Sequence, residues 1–188
     1  MALGPYLRKK FGIPVYINND GDLYAYGEAL GGILPDINER LELAGSAKRY
    51  RNLLGYTFGT GFGVGMIVNG MMNRGDNSCV ETCYFPHCKR PDIIVEEGVS
   101  IRGMKRMYRE FSGDDRDLEP KDIFDIAEGR MEGSQEAAEQ AFKEMGTATG
   151  EVIIPAVNLT DGIVVLGGGM TGAAKYIKPA ILEAMRSK

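Results

Sequence analysis

Asn19 and Asp20 stand between an apolar, β-branched stretch at residues 13–17 and a helix-like stretch at residues 23–30. A carboxylate placed where a strand gives way to a helix can take the proton from a hydroxyl nucleophile. The same residue types are preferred N-caps, which satisfy the unpaired N–H groups at the start of a helix. The pair therefore indicates a catalytic base or a helix cap, and the residues alone leave both interpretations open.

A second group of candidate residues is the glycine-rich segment from Gly59 to Gly65, in which Thr60 adds a hydroxyl donor. Alternate glycines in a hairpin leave one face without side chains, so that a phosphate or a neighbouring backbone can come close. We expect Gly59, Thr60 and Gly61 to bind nucleotide phosphate. A tight turn beside a crowded neighbour is the alternative. The segment is not a dinucleotide-binding fingerprint, because a strand rather than a helix follows it.

Gly167, Gly168 and Gly169 follow the apolar stretch at residues 163–166 and precede a helical segment. With Gly172 they contain the pattern G-x-G-x-x-G in the strand, loop and helix order of a dinucleotide fold. No second strand follows to carry the acidic residue that would bind a ribose. We therefore expect a nucleotide loop at a helix N-terminus, with tight packing of that helix on the sheet as the alternative.

All three cysteines, Cys79, Cys83 and Cys88, lie within ten residues together with the only histidine, His87. Thiolates and imidazole are the ligands that zinc prefers. However, paired C-x-x-C knuckles are missing, and the adjacent His87 and Cys88 cannot easily face one tetrahedral centre. We therefore expect no metal site, and we expect the cysteines to be buried as small apolar side chains.

Glu81 and Glu96 are candidate ligands for hydroxyl groups. Glu96 and Glu97 precede a predicted helix, where acids commonly compensate the helix dipole. A carboxylate at this place can also accept hydrogen bonds from two neighbouring hydroxyls of a sugar, and Glu81 can do the same. The sequence leaves the dipole and sugar interpretations of Glu96 open.

Local patterns predict the elements that must position these residues. Asn69-Gly70 is a strong hairpin signal, so residues 53–73 are expected to form an antiparallel meander. Later in the chain, helical periodicity dominates, with Ser134 as the N-cap of a long helix. This order predicts a mixed α/β fold. The predicted strands are residues 13–17, 53–58, 63–68, 71–73 and 163–166, and the predicted helices include residues 5–12, 23–30, 37–44, 134–157 and 173–185.

The composition narrows the class of protein. The chain has 188 residues, of which 44% are hydrophobic, and this suits one globular domain. A net charge of -4 and a sequence pI near 5.2 argue against a nucleic-acid-binding surface. No apolar run approaches the length needed to span a membrane. Three clustered cysteines are too few for a secreted disulfide framework, so we expect a cytoplasmic protein with reduced thiols.

Taken together in this order, these residues resemble the ROK family of sugar kinases over nearly the whole chain. The segment from Phe11 to Asp20 resembles the family's approach to its Asn-Asp pair, and the segment from Leu54 to Gly65 is similar to its phosphate-binding hairpin. Val80-Glu81 and Val95-Glu96 fall where the family has its two sugar-binding glutamates. Gly167 to Gly169 matches its adenosine loop.

The resemblance implies an α/β, ribonuclease H-like lobe of the actin/hexokinase ATPase type, with a central mixed sheet flanked by helices. It implies transfer of a phosphoryl group from ATP, with Mg²⁺, to a hexose or N-acylhexosamine, as in a glucokinase. Asp20 would be the general base. The implied sugar ligands are Asn19, Glu81, Glu96 and His87, and the implied ATP ligands are Gly59, Thr60, Gly61, Gly167, Gly168 and Gly169.

Three features depart from the family pattern. The family's zinc-bearing segment is not reproduced between Glu81 and Glu96: His87 lies six residues after Glu81, and Tyr84 occupies the spacing of three. Residues 31–52 are longer than the usual link, and we expect them to be an insertion. The family's N-terminal Asp-x-Gly-x-Thr phosphate loop is absent from this sequence.

We therefore expect residues 1–188 to form a single domain, the C-terminal lobe of such a kinase, with residues 1–20 as the interlobe segment. The expected partners are sugar, ATP, the missing N-terminal lobe and a second copy in a homodimer, without nucleic acid or membrane. A catalytically incomplete sugar-binding or regulatory module is one alternative. Another is a structural remnant that oligomerises through exposed apolar residues such as Tyr6, Phe11 and Phe62.

Overall fold

A four-stranded mixed sheet forms the centre of the computed structural model, which describes residues 2–187. The strands β1 (Leu53–Phe58), β2 (Phe62–Val68) and β3 (Met71–Met72) form the predicted antiparallel meander. The last strand, β6 (Ile163–Gly167), runs parallel to β1 and completes the order β3-β2-β1-β6. A parallel pair needs a long crossover, which the helices between β3 and β6 provide.

Helices cover both faces of this sheet. They are α2 (Asp20–Leu30), α3 (Ile33–Leu43), α4 (Glu96–Val99), α5 (Ile101–Ser112), α6 (Pro120–Ala127), α7 (Gln135–Thr160) and α8 (Ala174–Arg186). The first helix, α1 (Leu3–Phe11), contributes no residue to either core. A small hairpin of β4 (Pro86–His87) and β5 (Arg90–Ile94) and a 3-10 helix (Gly169–Ala173) complete the described elements. Among residues 2–187, no helix combines the length and the apolar character needed to cross a bilayer.

Two hydrophobic cores lie on opposite faces of the sheet. Alternate side chains of a strand point to opposite faces, so Leu54, Tyr56 and Phe58 enter the larger core, with residues of α5 to α8. Leu53 enters the smaller core, with Ala25 of α2 and residues of α3. Burial of each large apolar side chain contributes about 1.5–3 kcal/mol. These contacts hold α2 on the face of the sheet opposite α7.

Several local signals produce the structure expected from them. Asn69 and Gly70 have φ angles of 52° and 77°, the left-handed values of the tight hairpin turn between β2 and β3. Gly12, with φ 68°, ends α1 as predicted. Ser134 caps α7, because its side chain accepts a hydrogen bond from the Ala137 N–H at 3.2 Å. The mixed α/β class is therefore confirmed.

Two expectations are wrong, and one element was not predicted. Residues 13–17 are not a strand, because they pair with no strand among the described residues. Phe62 is not an exposed interface residue: it is 1% exposed and stacks on Phe58 in the larger core. The β4–β5 hairpin was not predicted, since its short strands carry proline and charged residues rather than an apolar alternation.

Candidate active site

Asp20 is the first residue of α2, but it is not the cap of that helix. The cap is Asn19, whose Oδ1 accepts hydrogen bonds from Gly21 N–H at 2.8 Å and Asp22 N–H at 3.3 Å. Asp20 uses one oxygen, Oδ1, to accept the Gly21 N–H at 2.9 Å. The capping interpretation of Asp20 is therefore wrong. Its side chain is exposed, and its second oxygen has no hydrogen-bond donor among residues 2–187.

The alternate glycines of β2 bring α2 close to the sheet. A methyl group at Gly65 would lie 2.5 Å from the Ala25 Cβ and 2.5 Å from the Gly21 carbonyl oxygen. A methyl group at Gly21 would in turn lie 3.3 Å from the Val64 nitrogen. The bare face of the hairpin therefore receives the backbone of α2 at this point. This close packing places the first turn of α2, with Asp20, beside the end of the hairpin.

Two of the glycines predicted to bind nucleotide are open to a ligand. No heavy atom lies within 4 Å of the position that a Cβ would take at Gly59 or at Gly169. Thr60, between Gly59 and Gly61, is exposed. At Gly61 a Cβ would lie 2.7 Å from the Glu96 Oε2. Glycine at 61 therefore makes room for a protein carboxylate, while Gly59 and Gly169 leave space that a phosphate or base could enter.

The Glu96 carboxylate is held at the start of β2. Its Oε2 accepts a hydrogen bond from the Phe62 N–H at 3.0 Å, and its Oε1 lies 3.7 Å from the Arg102 guanidinium. Glu96 is also the first residue of the short helix α4, where an acid is favourable. The dipole and ligand interpretations are thus compatible, because Oε1 lies too far from Arg102 for a hydrogen bond and can accept one from a ligand beside the cleft.

Glu81 lies near Glu96 in a partly buried position. Burial raises the pKa of Glu81, and the nearby Asp22 and Glu96 carboxylates raise it further. The Cys83 thiol donates to Glu81 Oε2 at 3.6 Å. Burial and the two glutamates raise the pKa of Cys83 to about 12, so this thiol stays protonated at neutral pH. The resulting surface carries hydrogen-bond acceptors, which suits a ligand rich in hydroxyl groups.

One cleft of about 590 Å³ brings most of the candidate residues together. The sequence-predicted residues that line it are Asn19, Asp20, Gly59, Thr60, Gly61, Glu81, Glu96, Gly168 and Gly169. Gly167 and His87 do not line it. The cleft also includes residues that the sequence analysis did not assign to a site, namely Tyr24, Thr57, Cys83 and Tyr84. Tyr24 lies one helical turn after Asp20, a spacing that could have identified it.

His87 lies in a different cavity, of about 240 Å³, with cationic residues that include Arg90 and Arg106. Its ring is buried, packs against Gly98, and accepts the Lys89 N–H at 3.2 Å through Nδ1. Burial lowers the pKa of His87, and the nearby arginines lower it further. A sugar contact by His87 would require its imidazole to line the 590 Å³ cleft. Because it lies in another cavity, the geometry offers no support for the expected contact.

The cysteines do not behave as one group. Cys83 is buried, as expected, but Cys79 and Cys88 are exposed, so the expectation of three buried thiols is wrong for these two. The segment that carries them is a loop and a small hairpin with little apolar cover. Within residues 2–187, no group of three or more His, Cys, Asp or Glu side chains is arranged to hold a metal ion.

A smaller apolar cavity adjoins the cleft. It measures about 160 Å³ and shares Gly169 with the cleft. Its walls include the side chains of Pro120, Phe124, Phe142 and Met170. Apolar and aromatic side chains of this kind pack well against a flat ring. The two cavities together could accept a ligand with a polar part and an aromatic part.

Known proteins share the fold of this chain. The ROK family model matches residues 2–188. The glucokinase of Parabacteroides distasonis is 53% identical to this chain, with a TM-score of 0.93; the match covers 99% of this chain and 53% of that chain. This chain thus spans about half the length of that relative.

Two further relatives differ in what their names describe. One is a ROK family glucokinase from Streptomyces griseus, whose structure was solved with glucose and AMPPNP. It is 18% identical to this chain, with a TM-score of 0.69, and the match covers 98% of this chain and 62% of that chain. At this identity the likeness concerns the fold alone, a ribonuclease H-like lobe of the actin/hexokinase ATPase type. The xylose repressor of Bacillus spizizenii is 32% identical over 73 residues, which cover 39% of this chain and 16% of the repressor.

Proposed function

The chain belongs to the ROK family, and on that premise we propose that it supplies the larger part of the active site of an ATP-dependent sugar kinase. The proposed substrate is a hexose or an N-acylhexosamine, as in a glucokinase. The observation that carries the proposal is the 590 Å³ cleft, since it combines an exposed carboxylate, two acceptor glutamates and two open glycines. These groups suit phosphoryl transfer to a sugar hydroxyl, which depends on a base for the hydroxyl and on backbone that can approach the phosphates.

Asp20 is the proposed general base. Its free oxygen would take the proton from the attacking sugar hydroxyl as the new bond forms between the sugar oxygen and the γ-phosphorus. The bond from the γ-phosphorus to the bridging oxygen breaks in the same transfer, and ADP leaves with that oxygen. The Gly21 N–H at 2.9 Å fixes the orientation of the carboxylate. Because Asn19 caps the helix, Asp20 is not needed for that structural task.

Asn19, Glu81 and Glu96 are the proposed sugar ligands. The Asn19 side chain uses Oδ1 to cap α2, which leaves its NH₂ group to donate to a sugar oxygen. The two carboxylates would accept hydrogen bonds from sugar hydroxyls. Since the Phe62 N–H and Arg102 hold Glu96, its acceptor oxygen is already oriented before the sugar binds.

ATP would bind across the cleft and the adjoining apolar cavity. The open positions at Gly59 and Gly169 would allow phosphate oxygens to approach the backbone, and the Thr60 hydroxyl would be an additional donor. The adenine ring would pack between Phe124 and Met170. Mg²⁺, which accompanies ATP, neutralises phosphate charge and is held largely by phosphate oxygens and water, so it needs few protein ligands.

A second lobe with an Asp-x-Gly-x-Thr loop would complete the site, because this chain spans only 53% of the Parabacteroides glucokinase. We assign residues 1–188 to one domain, the C-terminal lobe, and residues 1–20 to the interlobe segment. The exposure of Phe11, Ile13 and Tyr16, the last at 88%, supports a covering partner there. We also propose that residues 31–52 are an insertion, that the protein forms a homodimer and that it is cytoplasmic.

The second candidate function is a sugar-binding regulatory module without turnover. The observation that favours it is the similarity to the xylose repressor, whose name describes a regulator. Such a protein would retain the sugar ligands Asn19, Glu81 and Glu96 while the carboxylate of Asp20 would have no catalytic task. Sugar binding without phosphorylation is the result that would select this candidate.

The substitution Asp20→Asn tests the kinase proposal. The chain, combined with the second lobe, is assayed with Mg-ATP against glucose and N-acetylglucosamine, and sugar affinity is measured by calorimetry. We expect kcat to fall by about 10²- to 10⁴-fold while the sugar affinity changes little, because a general base acts in the chemical step. Asp36→Asn is the matched control, since Asp36 lies on α3 and outside the cleft.

Two outcomes would contradict the proposal. Retention of most of the activity by Asp20→Asn would remove Asp20 from the mechanism. Absence of phosphorylation by the unmodified protein, together with measurable sugar binding, would favour the regulatory module. Loss of activity in Asp36→Asn would show that the assay responds to any change of surface charge.

A further inference from the structure

Tyr24 lines the cleft but has no role in the proposed function. It lies on α2 four residues after Asp20, a spacing that advances the helix by about 6 Å and returns to the same face. Its ring packs on Gly167 at the end of β6: a methyl group there would lie 2.4 Å from the Tyr24 Cζ and 2.6 Å from its hydroxyl oxygen. Glycine at 167 therefore makes room for Tyr24 rather than for a ligand.

The position of Tyr24 separates it from two of the proposed sugar ligands, Glu81 and Glu96. Glu96 is bonded to Phe62 at the start of β2, and Glu81 lies beside the backbone of Val64 in the same strand. The Tyr24 ring lies over Gly55 of β1 and Gly167 of β6, with its hydroxyl end at β6, which is two strands from β2 across β1. Two strand spacings amount to about 10 Å. The Tyr24 hydroxyl therefore lies on the side of the cleft that Gly168 and Gly169 line, where the nucleotide is proposed to bind.

The Tyr24 hydroxyl is suited to donate a hydrogen bond to an anion. Its oxygen lies against Gly167, which has no side chain that could accept its proton. Burial raises the pKa of Tyr24, and the Glu28 carboxylate raises it further, so the phenol keeps its proton at neutral pH. The ring is half-buried and packed on Gly167, which restricts its orientation before any ligand arrives.

We propose that the Tyr24 hydroxyl donates a hydrogen bond to an oxygen of the terminal phosphates of a bound nucleoside triphosphate. This inference rests on the proposed kinase function and adds a residue to its nucleotide site. During transfer the bond between the γ-phosphorus and the bridging oxygen breaks, and the electron pair stays with ADP. A fixed donor at the phosphate oxygens stabilises the charge that develops there.

The test compares, by calorimetry, the nucleotide affinities of the chain combined with the second lobe and of the same protein carrying Tyr24→Phe. Phenylalanine keeps the ring against Gly167 and removes only the donor. We expect the affinity for AMPPNP to fall about 10-fold, because a hydrogen bond to a charged group is lost, while the affinity for AMP stays within about twofold. Tyr26→Phe is the matched control, since Tyr26 is on the same helix but packs in the smaller core and does not line the cleft.

The outcomes separate this inference from the proposed function. Equal AMPPNP affinities of Tyr24→Phe and the unmodified chain would overturn the role of Tyr24 and leave the kinase proposal intact. An equal loss for AMP, or the same loss in Tyr26→Phe, would indicate a general loosening of α2 and would also overturn it. Failure of the unmodified chain to bind AMPPNP would overturn the nucleotide site and the role of Tyr24 together.

Discussion

The substitution Gly65→Ala is the sharpest test of how the fold positions Asp20. The added methyl group would lie 2.5 Å from the Ala25 Cβ and the Gly21 carbonyl oxygen and 2.9 Å from the Asp22 Cα. Ordinary contacts between such atoms are about 3.5 Å or longer, so α2 must move outward by about 1 Å. Two of these three atoms belong to the backbone, so a change of rotamer cannot relieve the contact.

The energetic consequence follows from two opposing terms. Overpacking of this kind costs about 1–3 kcal/mol, and the lower entropy of the unfolded alanine chain offsets about 0.4–1 kcal/mol of it. We therefore expect the free energy of unfolding to fall by about 1–2 kcal/mol, which corresponds to a Tm lower by about 2–8 °C for a chain of this length. A shift of about 1 Å in a catalytic group can cost about 10²-fold in kcat.

Urea or thermal unfolding measures the first effect, and the kinase assay measures the second. Gly59→Ala is the matched control, because nothing lies within 4 Å of its Cβ position. We expect it to raise the free energy of unfolding by about 0.4–1 kcal/mol, because only the entropy term remains, and to weaken nucleotide binding. The reasoning is refuted if Gly65→Ala unfolds like the unmodified protein, since the glycine at 65 would then not be needed to seat α2.

Other predictions concern buried groups near the cleft. Burial raises the pKa of Glu81 above its ordinary value of 4.5, so the folded state holds this proton more tightly than the unfolded state. The free energy of unfolding should therefore decrease as the pH rises from about 4.5 through the raised pKa of Glu81. Thermal unfolding at several pH values measures this dependence, and Glu81→Gln should remove the contribution of Glu81 to it. Within residues 2–187, the buried hydroxyls of Tyr56 and Thr82 lie near each other but make no hydrogen bond of good geometry. Tyr56→Phe should then change the free energy of unfolding by less than about 1 kcal/mol in urea titrations, and a larger loss would reveal a partner. At about pH 8 a thiol reagent should label the exposed Cys79 rapidly, as measured by mass spectrometry. Cys83 should stay unlabelled, because it is buried and its pKa is raised to about 12. Fast labelling of Cys83 would contradict its burial.

The candidate site was only partly accessible from the residue pattern. The Asn19-Asp20 pair, the glycine hairpin and the two glutamates were selected by residue type and order, and the fold brings them to one cleft. His87 was selected in the same way, yet it lies in another cavity, while Tyr84 lines the cleft. Neighbours in a loop can point in opposite directions, and the sequence carries no periodic signal that decides which of them faces a ligand.

The sequence by itself determined the features that depend on a few neighbouring residues. The turn at Asn69-Gly70, the end of α1 at Gly12 and the start of α7 after Ser134 follow from local backbone preferences and capping bonds. These signals act over three or four residues, so no knowledge of the rest of the chain is needed. They were sufficient to predict the meander, the long helix and the α/β class.

Only the tertiary structure decided how each candidate residue is used. It assigned the cap of α2 to Asn19 and left Asp20 exposed, and it filled the space at Gly65 with α2 while leaving Gly59 open. It also set Gly167 against Tyr24, residues that lie far apart in the chain. Whether a glycine faces a ligand or a packed helix depends on which elements meet across the sheet, and no local sequence preference contains that information.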